Sequence, residues 1–298
     1  MPHGILLLDK PRGLSSNAAV QRVRRAFGRE KAGHTGSLDP LATGMLPICL
    51  GEATKVAGYL LEGDKEYEFT ARFGERTATG DTEGEVVETC EVPADLAGAL
   101  QAAIPRYLGT IAQVPPMYSA LKRDGQPLYR LARQGIEVER EARPVTIHAL
   151  ELLSVSGPEA SLRVRCSKGT YVRTLAEDLA QSMGSCAHLT ALRRSAVAPF
   201  PSGQLVQLED VERAAASVPL LPADAALPQL PAITLDQPRA GRIRQGQPVH
   251  PDGNGSLNPG LVRLYGPAGR FLGIGAMDEN GQVLKPVRLF NDLGANPA

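Results

Sequence analysis

Apolar and polar positions alternate most cleanly over residues 65–74, where Tyr67, Phe69, Ala71 and Phe73 fall on one side and Glu66, Glu68, Thr70 and Arg72 on the other. A period of two predicts a half-buried strand, because successive side chains of an extended chain point to opposite faces. The unbroken run Ile5-Leu6-Leu7-Leu8 predicts a buried strand, closed by a turn at Pro11 and Gly13. Ser15 or Ser16 then offers a helix N-cap, Val20, Val23 and Phe27 share one face, and Gly28 is the stop. Further strands are predicted over residues 84–92, 145–155 and 161–166, the last two paired around Gly157-Pro158, with amphipathic helices over 94–104 and from Leu175 to Met183. The Ala- and Pro-rich stretch 205–230 predicts a helical connection. Beyond Ile233, short apolar runs are separated by Gly266-Pro267-Ala268-Gly269 and Glu279-Asn280-Gly281, which predicts a small all-β unit. Asn254-Gly255-Ser256 reads as a turn, and the last few residues as loose.

A chain of 298 residues suggests two domains, one large and one small. With no Trp, aliphatic side chains must build most of the core. No apolar run approaches the roughly 20 residues that span a bilayer, and Ile5 to Leu8 is too short for a signal-peptide core, so the cytoplasm is the expected location. Cys49, Cys90, Cys166 and Cys186 are scattered without metal spacing and read as buried thiols. A net charge of zero argues at first against a nucleic-acid partner. The charges are segregated, however. Acidic residues crowd 62–95, while basic ones collect in 22–31, 122–143, 163–173, Arg193-Arg194 and 239–244, so a neutral total can hide one basic face.

The candidate chemistry centres on Gly33-His34-Thr35-Gly36-Ser37-Leu38-Asp39-Pro40-Leu41-Ala42-Thr43-Gly44-Met45-Leu46. Three glycines and a proline force irregular backbone, and the apolar run that follows anchors it at the edge of a core. An Asp before Pro commonly serves as a turn former; held in such a loop, Asp39 can equally act as nucleophile, base or metal ligand. Gly51-Glu52-Ala53-Thr54-Lys55 lacks the spacing of a phosphate-binding P-loop, which excludes an ATPase of that type. Arg173 follows a glycine turn at a predicted helix start, a place suited to anions. Lys122, Arg123, Arg130 and Arg133, interleaved with Tyr118 and Tyr129, suit phosphate contact and stacking, or an exposed helix face.

The run GHTGSLDPLATGMLPICLGEATK resembles the signature of the TruB-type pseudouridine synthases, which isomerise the uridine at position 55 in the T loop of tRNA. Lys10-Pro11-x-Gly13, the Lys-x-Tyr at Tyr67, the block from Gln113 to Arg133, and Gly-Thr-Tyr-x-Arg-Thr around Arg173 resemble other motifs of that family. The resemblance implies an α/β mixed (α+β) pseudouridine synthase fold with a central antiparallel-rich sheet, and a small C-terminal β-barrel (PUA-like) domain. It implies a catalytic domain over 1–231, with an RNA-contacting insertion at about 113–143 and a helical connection at about 205–231, then an RNA-binding domain over 232–298. Asp39 inherits the role of nucleophile, Arg173 that of its partner, and Tyr67 that of stacking on the target uracil. His34 would replace the flipped base, Tyr171 and Leu192 would line the uridine pocket, and Lys10 would support the site. The implied partner is the tRNA T stem-loop, met by a monomer without cofactor, metal, membrane or obligatory protein partner. A non-catalytic RNA-binding or RNA-folding protein on the same fold is the alternative.

Overall fold

The strict alternation of residues 65–73 and the apolar run after the Asp39 loop each form an interior strand of the large sheet. The computed structural model describes residues 3–123, 125–203, 205–251 and 258–291. The Asn254-Gly255-Ser256 turn and the chain end lie outside the described residues.

In chain order the strands are β1 (Gly4–Lys10), β2 (Ala32–His34), β3 (Thr43–Leu50), β4 (Lys65–Phe73), β5 (Glu75–Thr77), β6 (Val86–Thr89), β7 (Gly109–Gln113), β8 (Lys122–Arg123), β9 (Gln126–Pro127), β10 (Arg143–Ser156), β11 (Glu159–Cys166), β12 (Ala187–Val197), β13 (Val206–Gln207), β14 (Ala232–Thr234), β15 (Gly260–Tyr265), β16 (Phe271–Met277) and β17 (Leu284–Leu289). The α-helices are α1 (Ser16–Ala26), α2 (Ala57–Glu62), α3 (Leu96–Ala103), α4 (Leu128–Ala132), α5 (Val172–Ser182), α6 (Leu208–Ala214) and α7 (Gln237–Arg244). One large mixed sheet runs in the order β13-β1-β3-β12-β4-β11-β10-β7, with β2 added beside β3. Most of its pairings are antiparallel; β12 with β3 and β1 with β13 are parallel.

The alternation of β4 has a direct outcome. Tyr67, Phe69, Ala71 and Phe73 enter the main core, which packs α1, α5 and α6 against the sheet. On the other face Thr70 meets Ser161 and Glu68 meets Arg163. β3 carries apolar residues on both faces because both are covered: Leu46, Ile48 and Leu50 join the main core, and Met45 and Cys49 a second core beneath α2. Ile274 and Phe271 of the C-terminal unit pack into that second core.

Several expectations need correcting. The C-terminal unit is a four-stranded sheet, β14-β15-β16-β17, and no pairing of β14 with β17 closes it into a barrel among the described residues. Instead α7 packs against β17, which takes a bridge from Val249. The strand predicted over 84–92 pairs only over β6, because its partner β5 is three residues long. The stretch 205–230 contains α6 but also β13, which extends the large sheet. Cys90 and Cys186 form a disulfide across 96 residues, since the chain after β6 returns beside the start of β12; Cys49 and Cys166 are buried free thiols. Burial pushes the latter two up to about 12 and about 11, so neither is a nucleophile near neutral pH.

Gly44 sets how closely β3 approaches β12. Its φ is +96°, and a Cβ there would lie 2.3 Å from the Arg194 carbonyl oxygen. Gly44→Ala is therefore expected to cost about 3 kcal/mol or more, strain and clash together. Gly13→Ala, at φ +84° with open space around it, should cost only the conformational term of about 1–2 kcal/mol. Urea unfolding of the two variants checks this, and equal midpoints would contradict it.

Candidate active site

Asp39 sits in a loop between β2 and β3 that is pinned on both flanks. Leu38, Leu41 and Ala42 are buried in the main core. The Leu38 N–H donates to Ser16 Oγ at 2.7 Å, and Ser16 Oγ lies 3.1 Å from the Leu38 carbonyl. Ser15 is the N-cap of α1, accepting from the Ala18 N–H, which leaves Ser16 free for this clamp. The Gly13 N–H reaches the Pro40 carbonyl at 2.7 Å, and the Ala42 N–H closes the turn on the Asp39 carbonyl at 3.0 Å. Apolar flanks thus fix the backbone while the carboxylate faces outward.

Arg173 comes to meet it from α5. Thr170 Oγ donates to the Ser167 carbonyl, and Gly169 at φ +80° completes the turn that leaves β11. Gln113 then clamps the Tyr171 backbone from both sides, accepting its N–H at 2.8 Å and donating to its carbonyl at 3.1 Å. Arg173 is the second residue of the helix. Its guanidinium lies 3.0 Å from Asp39 Oδ2, and it donates to the Thr79 carbonyl at 2.6 Å and to the Tyr118 carbonyl at 2.7 Å. The Arg173 side chain is only 5% exposed, whereas Asp39 keeps 39% of its side-chain surface open. A buried cation holds a reachable anion.

Burial by the cleft walls pushes the Asp39 carboxyl up; the Arg173 guanidinium opposes this, the Asp81 carboxylate adds to it, and Lys10 opposes it. Lys10 is fully buried on β1, donating to the carbonyls of Pro11 at 2.9 Å and Leu14 at 2.7 Å. Burial brings its ammonium down to about 8, against the pull of Asp39 and Glu83. Tyr67 on β4 is 9% exposed, and burial raises its phenol despite the Arg194 guanidinium beside it. Burial likewise raises Tyr171, which also feels Arg173 and Asp39. His34, on β2 just before the loop, is lowered by burial and by Arg194, which favours the neutral ring, and among the described residues its Nδ1 has no hydrogen-bond partner.

Of the predicted site residues, Asp39, Arg173, Lys10, Tyr67 and Tyr171 are within electrostatic reach of one another, and His34 joins them through Arg194. Leu192 is 8% exposed and pairs with Phe69 two residues before Arg194. It borders an adjoining groove of about 300 Å³, lined also by Arg12, Leu41, Thr43 and Arg193, which Asp39 and Arg173 do not enter. Sequence reasoning missed Ser16, Gln113, Asp81 and Arg194. Asp81 is buried, its carboxylate accepting from Thr79 Oγ and the Glu83 N–H. The Thr79 and Tyr118 contacts run through main-chain carbonyls, so residue type carries no signal there. Among the described residues no three His, Cys, Asp or Glu side chains are placed to hold a metal ion.

Three family models match in succession: the N-terminal domain of the TruB family pseudouridylate synthases over residues 24–172, the C-terminal domain of tRNA pseudouridylate synthase B over 173–227, and the C-terminal region of pseudouridine synthase II TruB over 231–290. The chain is 50% identical to the tRNA pseudouridine synthase B of Aeromonas salmonicida over 301 residues, covering 96% of this chain and 93% of that one. It is 54% identical to that of Aromatoleum aromaticum, covering 97% and 93%. A chain from the crystal structure of a Cbf5-Nop10-Gar1 complex superposes with a TM-score of 0.72 at 24% identity, covering 96% of this chain and 84% of that one, which shows the same fold. With the three matches covering almost all of residues 24–290 and half of all positions shared with such relatives, the chain belongs to the TruB family of pseudouridylate synthases.

Proposed function

We propose that the protein isomerises the uridine at position 55 in the T loop of tRNA, with Asp39 as the carboxylate that acts on the target nucleotide. The observation that carries the reading is the ion pair in which a nearly buried Arg173 holds a solvent-facing Asp39 at 3.0 Å. The motif around Asp39 supports the T-loop uridine, and the names of the relatives support tRNA. In the same reading the protein works as a cytoplasmic monomer without an obligatory protein partner.

The reaction breaks the bond from ribose C1′ to uracil N1 and forms one from C1′ to C5; C5 loses its proton and N1 gains one. Asp39 acts as a nucleophile at C1′ or at C6, or as a base on the ribose, and each route needs an ionised carboxylate. An uncompensated charge between desolvating walls is costly, and Arg173 with Lys10 supplies the compensation. The target base must leave its stack. A neutral His34 ring can take its place without burying a charge, Tyr67 holds the extruded ring, and Tyr171 bounds the pocket beside Asp39, with Leu192 on the adjoining groove.

Asp39→Asn nearly keeps the shape and removes the charge. It should lower single-turnover isomerisation by more than about a thousandfold while tRNA binding stays within about threefold. Release of tritium from C5 of labelled uridine, with mapping of the altered position, measures this. An active Asn variant, or a wild-type protein that binds tRNA without releasing tritium, would falsify the assignment.

The pH dependence follows from the same charges. Protonation silences Asp39, and because burial raises its carboxyl, the acid limb of the rate should lie above the pH expected for an exposed Asp, about 3.9. Lys10 loses its proton as pH rises through about 8, and with it part of the charge that keeps Asp39 ionised, so the rate should decline through that range. Single-turnover rates across pH, with tRNA binding followed in parallel, test both limbs. A rate that stays level past pH 8 to 9 excludes the part given to Lys10.

A further inference from the structure

Arg193 and Arg194 are neighbours on β12 with opposite fates. Arg193 points to the exposed side and makes a two-pronged pair with Asp9 at 2.9 and 3.0 Å. Arg194 is 1% exposed, and among the described residues no carboxylate pairs with it. Its Nε donates to the Met45 carbonyl at 2.8 Å and its Nη2 to the Gly36 carbonyl at 3.1 Å. An unpaired guanidinium in a core is expensive, and a hydrophobic side chain of similar length would fill the same space at lower cost. Packing alone therefore does not account for an arginine here.

Its neighbours do. In the sheet Arg194 stands opposite Tyr67 of β4 on one side and Gly44 of β3 on the other. The carbonyls it holds belong to Gly36, three residues before Asp39, and to Met45, at the point where the loop has re-entered β3. Its charge reaches Tyr67, His34 and Lys10. Gly44, with no room for a Cβ against the Arg194 backbone, is what allows this approach.

We propose that Arg194 is a positioning residue for the isomerisation: its guanidinium ties both ends of the Asp39 loop to the strand that faces Tyr67, and so sets where the carboxylate stands relative to the base-holding ring. The inference rests on the reading of Asp39 given above. Two carbonyls orient the fork without neutralising it, so its charge also bears on Lys10, the ammonium that compensates Asp39. The groups that face Lys10 are Asp39 from the loop, Glu83 from the segment after β5, and Arg194 from β12.

Two variants separate the fork from the charge. Arg194→Met removes both and leaves no buried charge behind, so it should fold; Arg194→Lys keeps the charge and loses the second prong. Single-turnover isomerisation should fall about a hundredfold in the Met variant and about tenfold in the Lys variant, with tRNA affinity within about threefold of wild type for each. Lys10, freed of a like charge, should hold its proton to higher pH in the Met variant, so the alkaline limb of the rate moves upward. In the Lys variant that limb should stay in place. A purely structural role would lower rate and binding together and leave the limb where it is. Wild-type turnover in the Met variant, a loss of tRNA binding in proportion to rate, or an unmoved limb overturns the proposal. If the Met variant does not fold, the Lys variant decides by its rate and affinity alone: a full rate, or a parallel loss of both, rejects the role. Asp39→Asn run alongside keeps the two readings apart, since an active Asn variant removes the role of Asp39, whereas an inactive one beside fully active Arg194 variants removes only this inference.

Discussion

Keeping one carboxylate ionised and reachable between walls that strip its water is the constraint on which this molecule turns. In the proposed reaction Asp39 has to be open enough to meet a nucleotide, and its charge has to be met by something that does not itself compete for the nucleotide. Arg173 satisfies both demands because it is buried and Asp39 is not. Placing a guanidinium there requires a helix that begins at the right point, and the turn before α5, clamped by Gln113, delivers it. The large sheet serves this geometry by bringing β1, β3, β12 and β4 side by side, so that Lys10, the Asp39 loop, Arg194 and Tyr67 come from four adjacent strands or the loop entering one of them.

Loop rigidity comes from the same economy. A segment with three glycines would be mobile if its apolar residues were solvated; here Leu38, Leu41 and Ala42 are core residues that anchor the backbone on each side of Asp39. Ser16 adds a side-chain clamp from α1. Preorganisation of this kind lets the ordering entropy be met on folding, so that it need not be met when tRNA binds.

What could be read directly from the chain was whatever is periodic or local. The alternation of β4 and the burial of the apolar run in β3 follow from hydropathy alone, and a serine cap at Ser15 or Ser16 follows from cap chemistry, with Ser15 taking it. Asp39 and Arg173 were legible as residue types in unusual strings, although their meeting at 3.0 Å across 134 positions was not implied by any spacing. Arg194 was hidden because an arginine in a basic run looks like a solvated face until the pleat is known: a shift of one position separates Arg193, paired with Asp9 outside, from Arg194 inside. The disulfide of Cys90 with Cys186 was illegible for the same reason, as was the strand order of the C-terminal sheet, since both depend on which distant segments the fold brings together.

A single device recurs among the buried cations. Arg173 is tethered by the carbonyls of Thr79 and Tyr118, Arg194 by those of Gly36 and Met45, Lys10 by those of Pro11 and Leu14, and Lys65 by those of Leu61 and Gly63. Arg173 also meets the Asp39 carboxylate, whereas among the described residues no carboxylate pairs with the other three. Carbonyl dipoles orient them and leave the charge in place, and in low dielectric that charge acts over several ångströms. Three of the four lie around Asp39 and Tyr67, where Asp81 and Glu83 also face Asp39 and Lys10, so cations and carboxylates are interleaved there. The cations favour the anionic form of Asp39 against the burial that raises its carboxyl, a local balance that the overall charge of this protein does not report.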